Sequence, residues 1–428
     1  MSSEHVQAVD LLISGAAELA TALGTEPRGG TALDAVQVRA GWGVAVDKGR
    51  IVAVGAEDDL RREYTPTIEY DARGGTIVPG FVDAHTHPVF ATTREDEFEM
   101  RTKGATYVDI SLAGGGILST VRGVREGSQE LLLRQLLMRL DRFLELGTTT
   151  VEAKSGYGLS TYDEIKMLTV IAEANRMHPV DLVPTFLGAH EFPEEYRDKR
   201  GDYVDLLVKE MLPRIAEEGL AEYCDIFTET HVFGLDDSRR ILTQAKGLGF
   251  KLRLHVDQLT PLGGAELAAE FGADSADHLE CVTDKGIEAL GEAGVVPVIC
   301  PLVALYLRQT QEVPGRRMID MGLAPAIATD FNPGSCYTQS MPEVFTWSAL
   351  RMNMTTGEVL TAGTLNAAAS LGRGAEIGTL ERGKRADLLI LDVPNHKHLA
   401  YELGRNPVRV VFKDGLLVSE RKPAHFRL

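Results

Sequence analysis

Two patterns of apolar and polar positions divide this 428-residue chain. Toward both ends lie short runs of β-branched and apolar residues cut by turn residues, a strand pattern. Residues 9–13 form one such run. Residues 43–46, the turn Asp47-Lys48-Gly49 and residues 51–54 read as a hairpin. Near the other end residues 386–391 are a strand. Residues 408–412, the turn Lys413-Asp414-Gly415 and residues 416–418 make a second hairpin. Two β-rich ends around a different middle predict a small β-sandwich domain built from both, residues 1–78 plus 376–428.

The middle, residues 79–375, alternates. Strand-like runs fall at 148–152, 182–187, 223–228, 251–255, 273–277, 295–299 and 324–329, and the run before His85 makes eight. Helical spacing appears between them. Residues 129–146 carry apolar positions at helical period and end at Gly147, a C-cap signal. Thr161-Tyr162-Asp163-Glu164 has capping-box spacing and opens a helix to about Met177. Residues 203–218, 238–246 and 264–270 also read as helices. Eight βα units in succession predict an α/β fold, a (β/α)8 TIM-like barrel, with a doubly wound open sheet as the alternative.

Composition narrows the function. Apolar content of 44% and charged content of 25% are those of a globular protein with a large core. A net charge of −18 argues against nucleic-acid and anionic-membrane partners, which want basic patches. It leaves room for an anionic substrate held by a local arginine. Cys224, Cys281, Cys300 and Cys336 are scattered with no CxxC pair, as expected of free thiols in a reducing compartment. The stretch Met1-Ser2-Ser3-Glu4-His5 shows no basic-then-apolar leader, and no run approaches a membrane span. A cytoplasmic protein is the expectation.

Barrel function sits at the C-terminal ends of strands. Six of the eleven histidines fall there: His85 and His87 after the first strand, His190 after the third, His231, His255 and His278 after the next three. The eighth strand leads to Asp330. His85 and His87, at i and i+2, face the same side of a strand. With His255 and Asp330 they offer three nitrogens and a carboxylate to one ion, Zn²⁺ or Fe. Such an ion brings the pKa of water at its open position toward neutrality. Asp330 can accept that water's proton and His278 can hydrogen-bond it. Other residues read more plainly. Gly114, Gly115 and Gly116 lack a following Gly-Lys-Ser/Thr and suit a substrate-covering loop. Lys154 reads as structural, and Glu152 and Glu229 as either supporting partners or plain ion pairs. His5, His178 and His396 read as peripheral, and His231 is ambiguous.

With these residues in view the chain resembles the amidohydrolase superfamily in its one-metal form. The HxH, the later histidine, the strand-eight aspartate, the composite β domain and the closing Gly383-Lys384-Arg385-Ala386-Asp387-Leu388 all match. Within that superfamily the imidazolonepropionase family is similar in HTHPVF with Arg94, GGGI, EAKSGYGL, TFLGAH, GGAELAAEFGADSADHLE and TDFNPGS. The resemblance implies hydrolysis of the lactam C–N bond of 4-imidazolone-5-propanoate to N-formimino-L-glutamate, a step of histidine degradation. It implies His85, His87, His255 and Asp330 as metal ligands. It implies Arg94, Tyr157, His190, Asn332, Gly334 and Ser335 as substrate contacts, with Arg94 forking the propanoate carboxylate. A homodimer acting on a small anionic cyclic amide is the expected assembly.

Two departures stand out. Some relatives have glutamate where this chain has Gln258. An amide cannot be a general base, so Gln258 is expected to orient the ring while Asp330 and His278 handle the proton. The segment from Ile299 to Tyr306 departs from a small Pro-Gly-Ala-type run and reshapes one pocket wall. A paralogue opening a related five-membered lactam is therefore an alternative reading. An aromatic-base deaminase is a weaker one, because Gln258 supplies no acid, and a scaffold that has lost its ligands is weaker still.

Overall fold

The computed structural model describes residues 6–105, 109–110 and 114–421. His5 lies outside them. Seven strands come first: β1 (Gln7–Ser14), β2 (Glu18–Thr21), β3 (Gln37–Arg39), β4 (Trp42–Asp47), β5 (Arg50–Ala56), β6 (Tyr64–Asp71) and β7 (Thr76–Pro79). Eight more follow in the middle: β8 (Phe81–Asp83), β9 (Thr148–Lys154), β10 (Asp181–Ala189), β11 (Tyr223–Thr228), β12 (Lys251–Val256), β13 (Ser275–His278), β14 (Val296–Ile299) and β15 (Ala326–Ile327). The last three are β16 (Leu388–Leu391), β17 (Val408–Lys413) and β18 (Leu416–Glu420).

β8 to β15 form one parallel sheet in strict sequence order. That order rules out the doubly wound alternative, in which strand order reverses at a switch point. The sheet nearly closes on itself. Thr86 bridges Phe331 in parallel, Asp330 N donates to His85 O at 3.1 Å and His87 N to Phe331 O at 2.8 Å. Asp83 adds a latch, accepting from Thr329 N at 3.0 Å and Thr329 Oγ1 at 2.6 Å. These strands are buried on both faces, which is why Val296–Ile299 reads as an unbroken apolar run. β15 is shorter than the pattern predicts. Pro325 removes a donor at its start, and beyond it the chain bends toward Asp330, whose φ is 51°.

The helices expected between strands are present. Gln129–Glu145 is followed by Gly147 at φ 90°. Leu235–Gly247 and Gly264–Phe271 lie where the pattern places them. Residues 200–218 form one continuous helical stretch with a π turn at Leu207–Met211. One expected cap is corrected. Ser160, not Thr161, caps the helix Thr161–Met177, its Oγ accepting from Asp163 N. Glu164 does not turn back to close a capping box. It accepts the N–H groups of Gly156, Gly158 and Leu159 at 2.8–3.0 Å and so fixes the loop after β9. The sequence pattern did not single out the helix Glu95–Thr102 after β8 or Met341–Met352 after β15.

The remaining strands make two sheets, β5-β4-β1-β6 and β18-β17-β16-β7-β2-β3. Leu11, Ile13, Val44 and Val46 from the first pack with Ile77, Leu388, Ile390, Val410 and Phe412 from the second. Both expected hairpins form. Their turns carry positive φ at consecutive residues, 51° and 75° at Lys48 and Gly49, 48° and 74° at Asp414 and Gly415, the mark of type I′ turns. Among the described residues no helix is long and apolar enough to cross a membrane.

Candidate metal centre and substrate cavity

Four donors converge at the C-terminal mouth of the barrel. Between His85 and His87, Thr86 turns the opposite way. Its Oγ1 donates to Glu152 O at 2.6 Å and its N to Glu152 Oε2 at 3.2 Å, which aims both imidazoles at the barrel axis. His255 follows from the end of β12. Asp330 Oδ1 lies 3.5 Å from His85 Nε2 and 3.4 Å from His87 Nε2, and His87 Nε2 is 3.4 Å from His255 Nε2. His85 Nε2 and Asp330 Oδ1 are buried without a hydrogen-bond partner. Converging lone pairs of this kind repel one another unless a cation lies among them. The donor set therefore fits a metal ion, and His85, His87 and His255 could hold one.

The protonation states agree. Burial holds His85 and His87 well below the ordinary imidazole value, with Lys154 adding to it. Burial also takes His255 down to about 3, against the pull of Asp225. In His85 and His255 the Nε2 lone pair is available because Nδ1 carries the proton. His85 Nδ1 donates to Asp277 Oδ2 at 2.7 Å, and His255 Nδ1 faces Asp225 Oδ2 at 3.0 Å. Those carboxylates are braced in turn. Arg253 Nη2 reaches Asp277 at 3.2 Å, and Lys154 Nζ reaches Asp225 at 2.7 Å and Glu152 at 2.8 Å. Burial opposes the Lys154 ammonium, but Asp225, Glu152 and Asp277 outweigh it and keep it charged. Glu152 thus both pairs with Lys154 and anchors Thr86 between the two histidines. A rival set, His85, His278 and Cys300, is also within reach. Burial and Asp330 push the Cys300 thiol well above its ordinary value, so it is a poorer donor than the Asp330 carboxylate.

Above the donors lies a cavity of about 320 Å³. Arg94, Tyr157, His190, Gln258, His278, Asn332, Gly334 and Ser335 all line it, together with His87, His255 and Asp330. His190 donates through Nδ1 to Gly156 O at 3.0 Å. Burial, then His87, takes it down to about 3, so its other nitrogen is an acceptor. Its ring stacks on His87 with centroids 5.1 Å apart. Burial works against a charged His278, but Glu280, 3.6 Å from Nδ1, outweighs it and raises the imidazole above its ordinary value. Asn332 is committed to its own loop: Nδ2 donates to Asp330 O and Ser335 Oγ at 2.7 Å, and Oδ1 accepts Gly334 N and Ser335 N. It holds the strand-eight loop in shape. Ser335 Oγ lies 3.4 Å from Asp330 Oδ2. Glu229 accepts Leu259 N, Thr260 N and Thr260 Oγ1, so it ties down the loop that carries Gln258. His231 is exposed at the cavity mouth. His178 pairs with Asp141 and His396 with Glu18, and neither lines the cavity. The off-pattern segment after β14 runs into the helix Val303–Leu307, but none of residues 299–306 lines the cavity; the wall there is made by Leu307 and Gln309, just beyond it.

The sequence pattern assigns no role to Asp225, Asp277, Arg253 or Glu97. Asp225 interrupts the apolar strand β11, and Asp277 directly precedes His278 in β13; both are buried in the barrel. A charge inside a barrel strand was the available signal.

The amidohydrolase family profile matches residues 205–418. An imidazolonepropionase of Symbiobacterium thermophilum is 50% identical over 419 residues, covering 97% of this chain and 98% of its own. One of Solibacter usitatus is 48% identical over 396 residues, covering 92% and 95%. Among solved structures, an Escherichia coli guanine deaminase is similar with a TM-score of 0.72 at 16% identity, covering 96% and 100%. A zinc-bound adenosine deaminase from Xanthomonas campestris gives 0.67 at 21%, covering 96% and 93%. At such identities these two share the fold. The relatives of near full length settle the family: the chain belongs to the imidazolonepropionases, within the amidohydrolases.

Proposed function

We propose that this protein hydrolyses the lactam C–N bond of 4-imidazolone-5-propanoate, giving N-formimino-L-glutamate. The observation that carries the reading is the meeting of His85, His87, His255 and Asp330 at the floor of a cavity whose wall holds Arg94. His85, His87, His255 and Asp330 would hold one ion, zinc or iron. A divalent ion there supplies Lewis acidity, easing deprotonation of water and polarising a carbonyl.

The chain's own groups divide the remaining work. Asp330 takes the proton from the attacking water. Burial pushes its carboxyl up from the ordinary carboxylate range, which makes it a stronger proton acceptor. Oxygen adds to the ring carbonyl carbon, and His278, poised by Glu280, donates toward the oxygen as it gains charge. The C–N bond then breaks, and the proton held at Asp330 passes to the departing ring nitrogen. Water is thereby added in full across the bond. Arg94 binds the propanoate. Tyr157 and the acceptor nitrogen of His190 read the ring, and Gln258 orients it. Ser335 steadies Asp330 Oδ2. Glu152 and Glu229 act only through what they hold. The enzyme so described is a cytoplasmic homodimer with a small anionic substrate.

The wall built by Leu307 and Gln309 favours a second reading, a related five-membered lactam of slightly different outline. One experiment separates the two. The purified protein is given imidazolonepropanoate beside ring-homologous lactams, and the product is weighed by mass spectrometry. The reading requires a gain of one water, with kcat/KM greatest for imidazolonepropanoate. A greater value for another lactam selects the second reading, and no ring opening of any lactam overturns both.

A further inference from the structure

Arg94 stands in an unusual place. It occupies the N-cap position of the helix Glu95–Thr102 and makes no side-chain cap hydrogen bond. Ser, Thr, Asp or Asn there would stabilise the helix by about 1 kcal/mol. Three residues on, Glu97 holds the position from which a capping-box glutamate reaches back to the N-cap main chain. It reaches instead to the side chain. Glu97 Oε2 accepts from Arg94 Nε at 2.8 Å and from Arg94 Nη2 at 2.7 Å. Its other oxygen, Oε1, accepts Gly116 N–H at 3.0 Å. Glu97 is 8% exposed, while Glu95 and Asp96 of the same turn face solvent.

The consequences follow from guanidinium geometry. With the Nε–Nη2 edge taken by Glu97, Arg94 offers an anion its Nη1–Nη2 end. That end packs over Gly334, where any Cβ would collide with Nη1. The glycine run is fitted to the same carboxylate. A Cβ at Gly115 would fall 2.8 Å from Glu97 Oε1, and Gly114 and Gly116 have φ of 84° and 80°, which favour glycine. One buried carboxylate thus aims the arginine with one oxygen and seats the glycine run with the other.

We infer that Glu97 is a positioning residue that sets specificity for an anionic substrate, by fixing the Nη1–Nη2 end of Arg94 toward the cavity and coupling it to Gly116. The inference rests on the proposed reading of the substrate as a carboxylate. A local charge effect opposes it: Glu97 weakens the positive potential of Arg94, so its neutralisation alone would strengthen anion binding. Orientation is expected to win because a bidentate contact is lost when the guanidinium swings.

The test uses the metal-loaded enzyme and Glu97→Gln. With imidazolonepropanoate, KM should rise about 10-fold or more while kcat changes less than about 3-fold, the signature of lost uniform binding. With the analogue whose propanoate is blocked as a neutral amide, KM should stay within about twofold. Hydrogen exchange at the Gly116 amide should quicken about 10-fold, with metal content unchanged. Glu97→Asp should recover neither, since its shorter arm cannot span both partners. An equal KM change for charged and blocked substrates, or a fall in KM, overturns the inference. Should Glu97→Gln fail to fold, Arg94→Gln reads the coupling from the other side: Gly116 exchange must rise, since among the described residues Glu97 links Arg94 to Gly116. Unchanged exchange there overturns it too. If the wild type opens no anionic lactam, the functional reading fails alone, and the two exchange measurements still decide the Glu97 linkage.

Discussion

Asp277→Asn isolates one charge behind the metal centre. Asp277 Oδ2 accepts from His85 Nδ1 at 2.7 Å and Arg253 Nη2 at 3.2 Å, and Oδ1 accepts Ser275 Oγ at 2.5 Å. Asparagine can keep this arrangement. Its oxygen faces His85 and Arg253, and its amide donates to Ser275 Oγ, whose hydroxyl simply rotates. Shape and contacts survive, and only the negative charge goes. The bond from His85 then falls from charge-assisted to neutral, a loss of about 1 kcal/mol. Arg253 and Lys154, both fully buried, are left with Glu152 and Asp225 as nearby counter-charges, so the site becomes more positive toward a dication. Together these effects should weaken metal binding by roughly 10- to 100-fold, or ~1.4–2.7 kcal/mol. Competition against a chromophoric chelator measures it, with Ser275→Ala as the control that touches the same carboxylate and leaves its charge. Metal affinity within about twofold of wild type, or an equal loss in the control, would show that the Asp277 charge does not support the ion.

Three further outcomes are expected. Asp330→Asn should lose turnover by about 10³-fold or more at saturating metal, because the amide cannot take a proton; metal content measured on the same sample separates this from loss of the ion. Gln258→Ala should keep measurable turnover, with kcat/KM lowered about 10- to 100-fold and the acidic limb of the pH–rate profile unmoved; a variant as dead as Asp330→Asn would show that Gln258 does more than orient the ring. Lowered pH should destabilise the fold through His190. Its folded value of about 3 lies below that of an unfolded imidazole, so the unfolded chain binds the extra proton. Its contribution is present above about pH 6.5 and is lost as pH falls toward 3. Between pH 6.5 and 5 that amounts to at most about 2 kcal/mol, and urea unfolding of His190→Gln should show a correspondingly shallower acid decline.

What was legible in the sequence was what strand periodicity exposes. The eight apolar runs gave the barrel, and histidines at their ends gave the floor of the cavity, because a barrel strand places its terminal side chains at the mouth whatever the loops do. Positions set by main-chain contacts were not legible. Glu229 and Glu164 hold loops through backbone N–H groups, which have no signature in residue type. Asp225 and Asp277 support histidines that lie on other strands or 30 residues away, so their partners appear only once the barrel is closed. Arg94 was found by motif, but its orientation was not, since Glu97 sits on a helix too short and too charged for periodicity to single out. The one-residue shift from Thr161 to Ser160 has a similar origin: Glu164 satisfies the β9 loop and is unavailable to a capping box.

Ring opening is expected to depend on the ion held by His85, His87, His255 and Asp330. The direct measurement is a titration. Protein stripped by chelator receives zinc or ferrous ion in small increments, and hydrolysis of imidazolonepropanoate is followed beside bound metal. Turnover should be negligible without metal, rise linearly with added ion and level off at about one ion per chain. Full turnover by the stripped protein, or a rise that continues well beyond one ion, would contradict that dependence.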